Sequence, residues 1–348
     1  MGKAQIMAVG TAVPSYCLRQ DDIQEFAAAL FRDNLHNLDR LLPVFANSLI
    51  RTRHLSQPLA WYAGKHSFAE ANTIYEQVAV DLAERAAGQA IERAGIDRSD
   101  IGTILFVSST GIATPSLDSI LIQKLGLSPH TARLPLWGLG CAGGVAGLAR
   151  AAQLAAAGGS AAILVVAVEL CSLTYQRGDY SKANLIGTSL FADGAAAAVI
   201  APDGGGPVIV DSFSTLFADT GDIMGWNVVE GGLQVRFSRD IPSIVRRYLP
   251  ELTGILCDRH GIGRDMVEHY VVHPGGAKIL SAYAESLDLT PEKLAQAYTV
   301  LADYGNMSSA SVLFVLEKFM AETKPAGRYG LMLALGPGFS AEQVLFTW

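Results

Sequence analysis

Two short runs constrain this 348-residue chain more than anything else in it. Ala162–Val168 and Gly194–Ile200 contain no polar or charged side chain. A strand with one wet face alternates apolar and polar residues, so an unbroken run needs cover on both faces. Each run is far shorter than the roughly 20 residues of a membrane-spanning helix. They are expected to be central strands, and the helical segments around them must supply the cover. That makes the chain α/β. Half of its residues are hydrophobic and 17% are charged, which suits a soluble protein with much buried sheet.

The remaining elements follow from periodicity and breakers. Residues 4–10 read as a strand, with a turn over Gly10–Pro14. Asp21 and Asp22 are placed to cap a helix through Phe31. Tyr75, Val78, Ala79, Leu82, Ala86 and Ala90 fall on one helical stripe, which Gly95 closes. A strand over Thr103–Ser108, a helix near 118–126 and a helix from Val145 to a stop at Gly158-Gly159 precede the first apolar run, which Glu169 ends. After Ile200 the segment Pro202–Pro207 is the strongest break. It is expected to divide the chain into residues 1–203 and 204–348. Beyond it come a helix over 242–260, a strand over Glu268–His273 and a helix after Pro274-Gly275-Gly276. A helix begins at Thr290-Pro291, and another runs from the Tyr304–Ser309 segment to about Met320. Two strands, Tyr329–Leu335 and Val344–Phe346, flank a Gly336-Pro337-Gly338-Phe339 loop. The order of elements repeats, as two copies of one α/β unit would.

In such folds reactive groups gather where strands end and helices begin. Three junctions qualify. Cys141 stands among Gly138, Gly140, Gly143 and Gly144, directly ahead of the alanine-rich helix. A helix N-terminus favours the thiolate, and the glycines let a substrate approach the backbone. His273 closes a strand, and Asn306 opens a helix. A thiolate can attack a thioester and hold its acyl group covalently. A histidine can pair with that thiolate, and an imidazole and an amide together can donate to an oxyanion. Taken singly, Cys141 reads as a core thiol, His273 as a satisfied strand-end histidine and Asn306 as a helix cap. The joint pattern is what points to chemistry.

The motifs Gly140-Cys141-Ala142-Gly143-Gly144, Val272-His273-Pro274-Gly275-Gly276, Tyr304-Gly305-Asn306-Met307-Ser308-Ser309-Ala310 and Leu335–Phe339, in this order, resemble type III polyketide synthases. These are the chalcone-synthase-like enzymes of the thiolase superfamily. The segments Trp137–Cys141, Glu169–Thr174 and Asn184–Leu190 are similar to bacterial alkylpyrone synthases of the Bacillus type. The resemblance implies a five-layered αβαβα sandwich of two thiolase-type halves and a homodimer. Cys141 would then load the acyl group, and His273 and Asn306 would decarboxylate malonyl-CoA to an enolate. Thr114 matches a position that reaches into the partner's cavity. Cys171, Thr174, Ser243, Cys257 and Ser308 match cavity positions, as do Gly338 and Phe339 in the closing loop. Cys257 and, roughly, Ile209 stand where plant relatives place gatekeeper phenylalanines. Arg40 matches a basic residue at the CoA tunnel mouth. Pro43 and Asn47 replace two others, for which Arg51 and Arg53 are nearby substitutes. Small residues at gate positions leave room for an alkyl chain. The implied reaction takes a fatty acyl-CoA starter, two or three malonyl-CoA extensions and closure to an alkylpyrone, with an alkylresorcinol as the alternative.

Other classes fit less well. A β-ketoacyl-acyl-carrier-protein synthase of the initiating type shares the Cys-His-Asn set, but Asn306–Ala310 and Gly336-Pro337-Gly338 favour the polyketide enzymes. Gly138-x-Gly140-x-x-Gly143 matches a dinucleotide-binding pattern but lacks an acidic residue about 20 positions on. A non-catalytic acyl-CoA-binding scaffold would not need all three reactive residues. The four cysteines form no CxxC pair, which argues for free thiols and against a metal cluster. The net charge of −7 disfavours broad nucleic-acid binding. No resident cofactor, no stable membrane insertion and a cytoplasmic location are expected; residues 1–5 carry no signal-peptide core.

Overall fold

The structure is a computed structural model that describes residues 4–157, 161–322 and 325–348. Its strands are β1 (Ala4–Ala12), β2 (Tyr16–Arg19), β3 (Thr52–Leu55), β4 (Ile101–Val107), β5 (Ala132–Leu136), β6 (Ala162–Leu170), β7 (Asp193–Ala201), β8 (Val208–Leu216), β9 (Met224–Val229), β10 (Gly232–Phe237), β11 (Val267–Val272), β12 (Tyr329–Gly336) and β13 (Ser340–Thr347).

The main sheet runs β11-β12-β13-β8-β1-β7-β6-β4-β5. Its two wings meet where β1 pairs β8 through only Ala4–Ile209 and Gln5–Val208. Each wing repeats one pattern. In the first, β4 is parallel to β6, β6 antiparallel to β7, and β7 antiparallel to β1. In the second, β11 is parallel to β12, β12 antiparallel to β13, and β13 antiparallel to β8. Helix Gly143–Ala156 packs against strands of both wings, and helix Ser311–Met320 lies beside it. These two form the middle layer. Helix Phe68–Ala94 covers the first wing from outside, and the packed pair Ile241–Asp258 and Ala277–Leu287 covers the second. The result is the αβαβα sandwich.

The apolar runs are fully buried for the reason the sequence implies. Along β6, Ile163, Val165 and Ala167 face the inter-sheet core, while Leu164, Val166 and Val168 face the outer core under helix Phe68–Ala94. Each such valine or leucine contributes roughly 1.5–3 kcal/mol. The alanines of β7 allow the flanking helices to come close. The long helix carries a capping box, Ser67 with Glu70, and ends on Gly95 at φ +66.

Several elements differ from the sequence reading. β1 continues through Gly10–Ala12, where a turn was expected. β6 continues past Glu169, because that carboxylate is buried and fully bonded rather than solvated. Asp21 and Asp22 sit in the first turn of helix Gln20–Phe31, behind a cap at Arg19. β5 is an exposed edge strand interrupted by Pro135, so it lacks a core-facing signature. β8 and the β9–β10 hairpin alternate weakly and were not read. The expected helix stop at Gly158-Gly159 lies outside the described residues.

Candidate active site

Cys141 sits in a single 3-10 turn, Gly140–Ala142, at the entry to helix Gly143–Ala156. The glycines around it serve protein packing more than ligand approach. A Cβ on Gly144 would lie 2.3 Å from Ser309 O, and one on Gly336 would lie 2.4 Å from Leu139 O. Thus the cysteine turn, the Ser308–Ala310 turn and the Gly336–Gly338 loop lock together backbone to backbone. Of the four glycines flanking Cys141, Gly138 alone has open space where a side chain would go.

His273 leaves the end of β11, its N–H bonded to Leu333 O at 2.8 Å. The residue is 3% exposed, and neither ring nitrogen has a hydrogen-bond partner. Asn306 is pinned to residues 190–192, the lead-in to the near end of strand β7: its N–H donates to Leu190 O and its carbonyl accepts from Ala192 N, both at 2.9 Å. Its Nδ2 donates to Gly275 O at 3.1 Å, which leaves one N–H for a ligand, and its Oδ1 accepts from Ser308 N at 2.8 Å. The side chains of Ser308 and Asn306 lie beside the Cys141 sulfur and favour its thiolate form.

Cys141, His273 and Asn306 open onto one cavity of about 590 Å³. Ile186, Leu190, Met224, Phe237, Ile279 and Leu335 provide its apolar wall, and Tyr283 closes it near the thiol. Desolvation dominates the electrostatics here. Burial pushes the thiol up to about 11, against hydrogen bonds from Ser308 and Asn306 that act the other way. Burial also pushes His273 down to about 3. The resting pair is therefore thiol and neutral imidazole. Burial of both groups opposes the expected thiolate–imidazolium pair. Behind the turn, burial raises Glu169 to about 7; it accepts from Ser109 N–H, Thr110 Oγ1 and Ser309 Oγ.

The structure places the other expected residues as follows. Ser308 stands beside Cys141, at φ +46. Cys171 and Thr174 line a separate cavity of about 50 Å³. Helix Lys182–Leu190 and Phe191 divide the two spaces: Ile186 and Leu190 face the first, Gly187, Thr188 and Phe191 the second. Phe191, packed on Trp226 and Phe237, is the aromatic partition, not Cys257 or Ile209. Cys257 is buried on the outer helix Ile241–Asp258, against the second wing, and Ile209 is buried where β8 meets β1. Phe339 is core, packed at a tilt against Phe217; Gly338 forms the tight turn beside it, and its carbonyl accepts from Thr220 Oγ1. Ser243 is exposed outside the mouth, and Thr114 lines a surface trough with Trp137 and Ile112.

The basic residues also move. Arg40 is exposed and outside the cavity lining; Arg51 is paired with Asp303; Arg53 is 2% exposed in the interior. The cations lining the cavity are Lys182, Arg239 and Lys278. Sequence reasoning missed them, although Lys182, Ile186 and Leu190 follow an i, i+4, i+8 stripe. Among the described residues no cluster of three or more potential metal ligands occurs.

Fold and site define a thiolase-type condensing enzyme. Family models agree: residues 1–204 match the chalcone and stilbene synthase N-terminal domain, and residues 208–347 match the C-terminal domain. The chain belongs to this family and is a type III polyketide synthase. It is 41% identical to the "Putative chalcone synthase" of Bacillus subtilis (strain 168), covering 99% of both proteins. It is 38% identical to a 1,3,6,8-tetrahydroxynaphthalene synthase of Streptomyces peucetius, covering 99% of this chain and 93% of the relative. The crystal structure of the Streptomyces coelicolor tetrahydroxynaphthalene synthase superposes with a TM-score of 0.93 at 31% identity, over 99% of each chain.

Proposed function

We propose that this enzyme loads a fatty acyl-CoA starter on Cys141, extends it with two or three malonyl-CoA units and closes the chain to an alkylpyrone. The observation that carries the reading is the convergence of Cys141, an unpartnered His273 and a half-satisfied Asn306 on one largely apolar cavity. In loading, His273 takes the thiol proton as sulfur attacks the thioester carbonyl. The CoA thiolate leaves and takes up a proton. In extension, the bond from malonyl C2 to its carboxylate breaks, CO₂ departs, and the electron pair becomes an enolate. His273 and the free Asn306 N–H hold its oxygen. The enolate carbon attacks the acyl-Cys141 carbonyl, and the Cys141 thiolate leaves. An apolar wall suits an alkyl starter, and the small Cys171 cavity beyond Phe191 offers length when that ring turns.

Lys182, Arg239 and Lys278 replace Arg40, Arg51 and Arg53 as the proposed grip on the CoA phosphates. All three are exposed at the cavity. Relatives named for tetrahydroxynaphthalene support a second reading, in which the final closure is carbon–carbon and the product is a resorcinol or another phenol. The deciding experiment is a panel of acyl-CoA starters with malonyl-CoA, products read by mass. Long-chain alkylpyrones from palmitoyl-CoA are expected. Products formed from malonyl-CoA alone, with no acyl starter incorporated, would overturn the starter assignment.

A further inference from the structure

We infer that Arg53 is a positioning residue that sets Asn306 for malonyl-CoA decarboxylation. The inference rests on the role proposed above for Asn306. Arg53 Nη1 donates to Phe191 O at 2.7 Å, inside the same strand end that grips Asn306 from both sides through Leu190 O and Ala192 N. The arginine stem also touches the turn directly. Gly305 has φ +70, and the place where its Cβ would be is 2.8 Å from Arg53 Cγ and Cδ. One buried side chain therefore braces both neighbours of the Asn306 backbone: the preceding residue by packing and the paired strand by a hydrogen bond.

Asp193 supplies the countercharge. It lies in the same strand end, is fully buried, and accepts from Ser56 N–H at 2.7 Å and Ser172 N–H at 2.8 Å. Its charge acts on Arg53 through the protein interior and opposes the loss of hydration. Nε and Nη2 of Arg53 have no hydrogen-bond partner. A buried cation so incompletely satisfied is costly to stability. Its stem and single strong donor are spent on the Asn306 turn. The reactive group it supports uses one amide N–H for anchoring and offers the other, so a small rotation of the turn moves the offered donor off the enolate oxygen.

The test separates decarboxylation from loading. Wild type, Arg53→Met, Arg53→Lys and Gly305→Ala are compared with Asn306→Ala. Release of labelled CO₂ from malonyl-CoA reads the Asn306 step. Intact-protein mass with an acyl-CoA reads Cys141 loading. Arg53→Met and Gly305→Ala should cut the kcat of decarboxylation at least about tenfold, with KM and the loading rate changed less than about twofold. Arg53→Lys should fall between, since it keeps a donor but shortens the brace. Gly305→Ala disturbs the same contact from the other side but is also strained by its own φ of +70, so Arg53→Lys, which keeps the charge, carries the test if Arg53→Met fails to fold. Equal losses in both steps, or none in either, would overturn the inference. Absence of CO₂ release by wild type, or full release by Asn306→Ala, would instead sink the underlying assignment of Asn306.

Discussion

Cys141 and His273 show how burial can outweigh a helix end. The 3-10 entry turn gives the thiol local polar neighbours, yet desolvation holds it at about 11 and the imidazole at about 3. Without ligand, alkylation of Cys141 by iodoacetamide should quicken about tenfold per pH unit from about pH 7 to about pH 10. Peptide mapping by mass distinguishes it from the exposed Cys17. A rate already flat at neutral pH would mean that the ion pair is preformed. Cys141→Ala should remove both the acyl adduct and condensation. At the mouth, Arg239→Glu with Lys278→Glu should raise KM for CoA thioesters about tenfold or more. It should spare acyl-N-acetylcysteamine thioesters, which carry no phosphate.

At the scale of elements, the catalytic turns are held by contacts too close for any side chain. Gly144→Ala sets a methyl 2.3 Å from Ser309 O, a backbone atom that moves only with its turn. Overpacking of this kind costs about 1–3 kcal/mol, so a lowered melting temperature is expected together with reduced loading. The partition formed by helix Lys182–Leu190 and Phe191 is a second such element. Cys171→Phe fills the far cavity and should shorten the longest accepted starter, leaving short acyl-CoA turnover intact. Unchanged use of long chains would exclude that cavity as the tail site.

At the scale of the whole molecule, buried acids make stability depend on pH. Glu169 rises from an ordinary 4.5 to about 7 because burial disfavours its charge. The fold thus binds its proton more tightly than the unfolded chain does. This stabilisation is complete below about pH 4.5 and is lost as pH rises through about 7, by at most about 1.4 kcal/mol per pH unit. Glu169→Gln should flatten denaturant midpoints across that window relative to wild type. The trough at Thr114 exposes Trp137 by 55% and Ile112 by 46%. We propose that this face joins two copies. Light scattering should find a dimer, and Trp137→Glu should shift it toward monomer. Among the described residues no helix is long and apolar enough to cross a membrane.

What the sequence determined by itself was local and periodic. The unbroken runs at 162–168 and 194–200 required strands covered on two faces, the stripe ending at Gly95 required an outer helix, and three junction motifs required Cys141, His273 and Asn306. Tertiary structure decided everything that depends on which surfaces meet. Arg53 and Lys278 are both cations beside motif residues, yet one is enclosed behind Gly305 and the other lines the active cavity. Cys257 and Phe191 are both buried apolar side chains, but only Phe191 lines the Cys171 cavity, next to the helix that faces the active cavity. The ionisation of the cysteine followed the same division. The chain specified a helix end, and the packing of the two wings removed the water whose loss governs the charge.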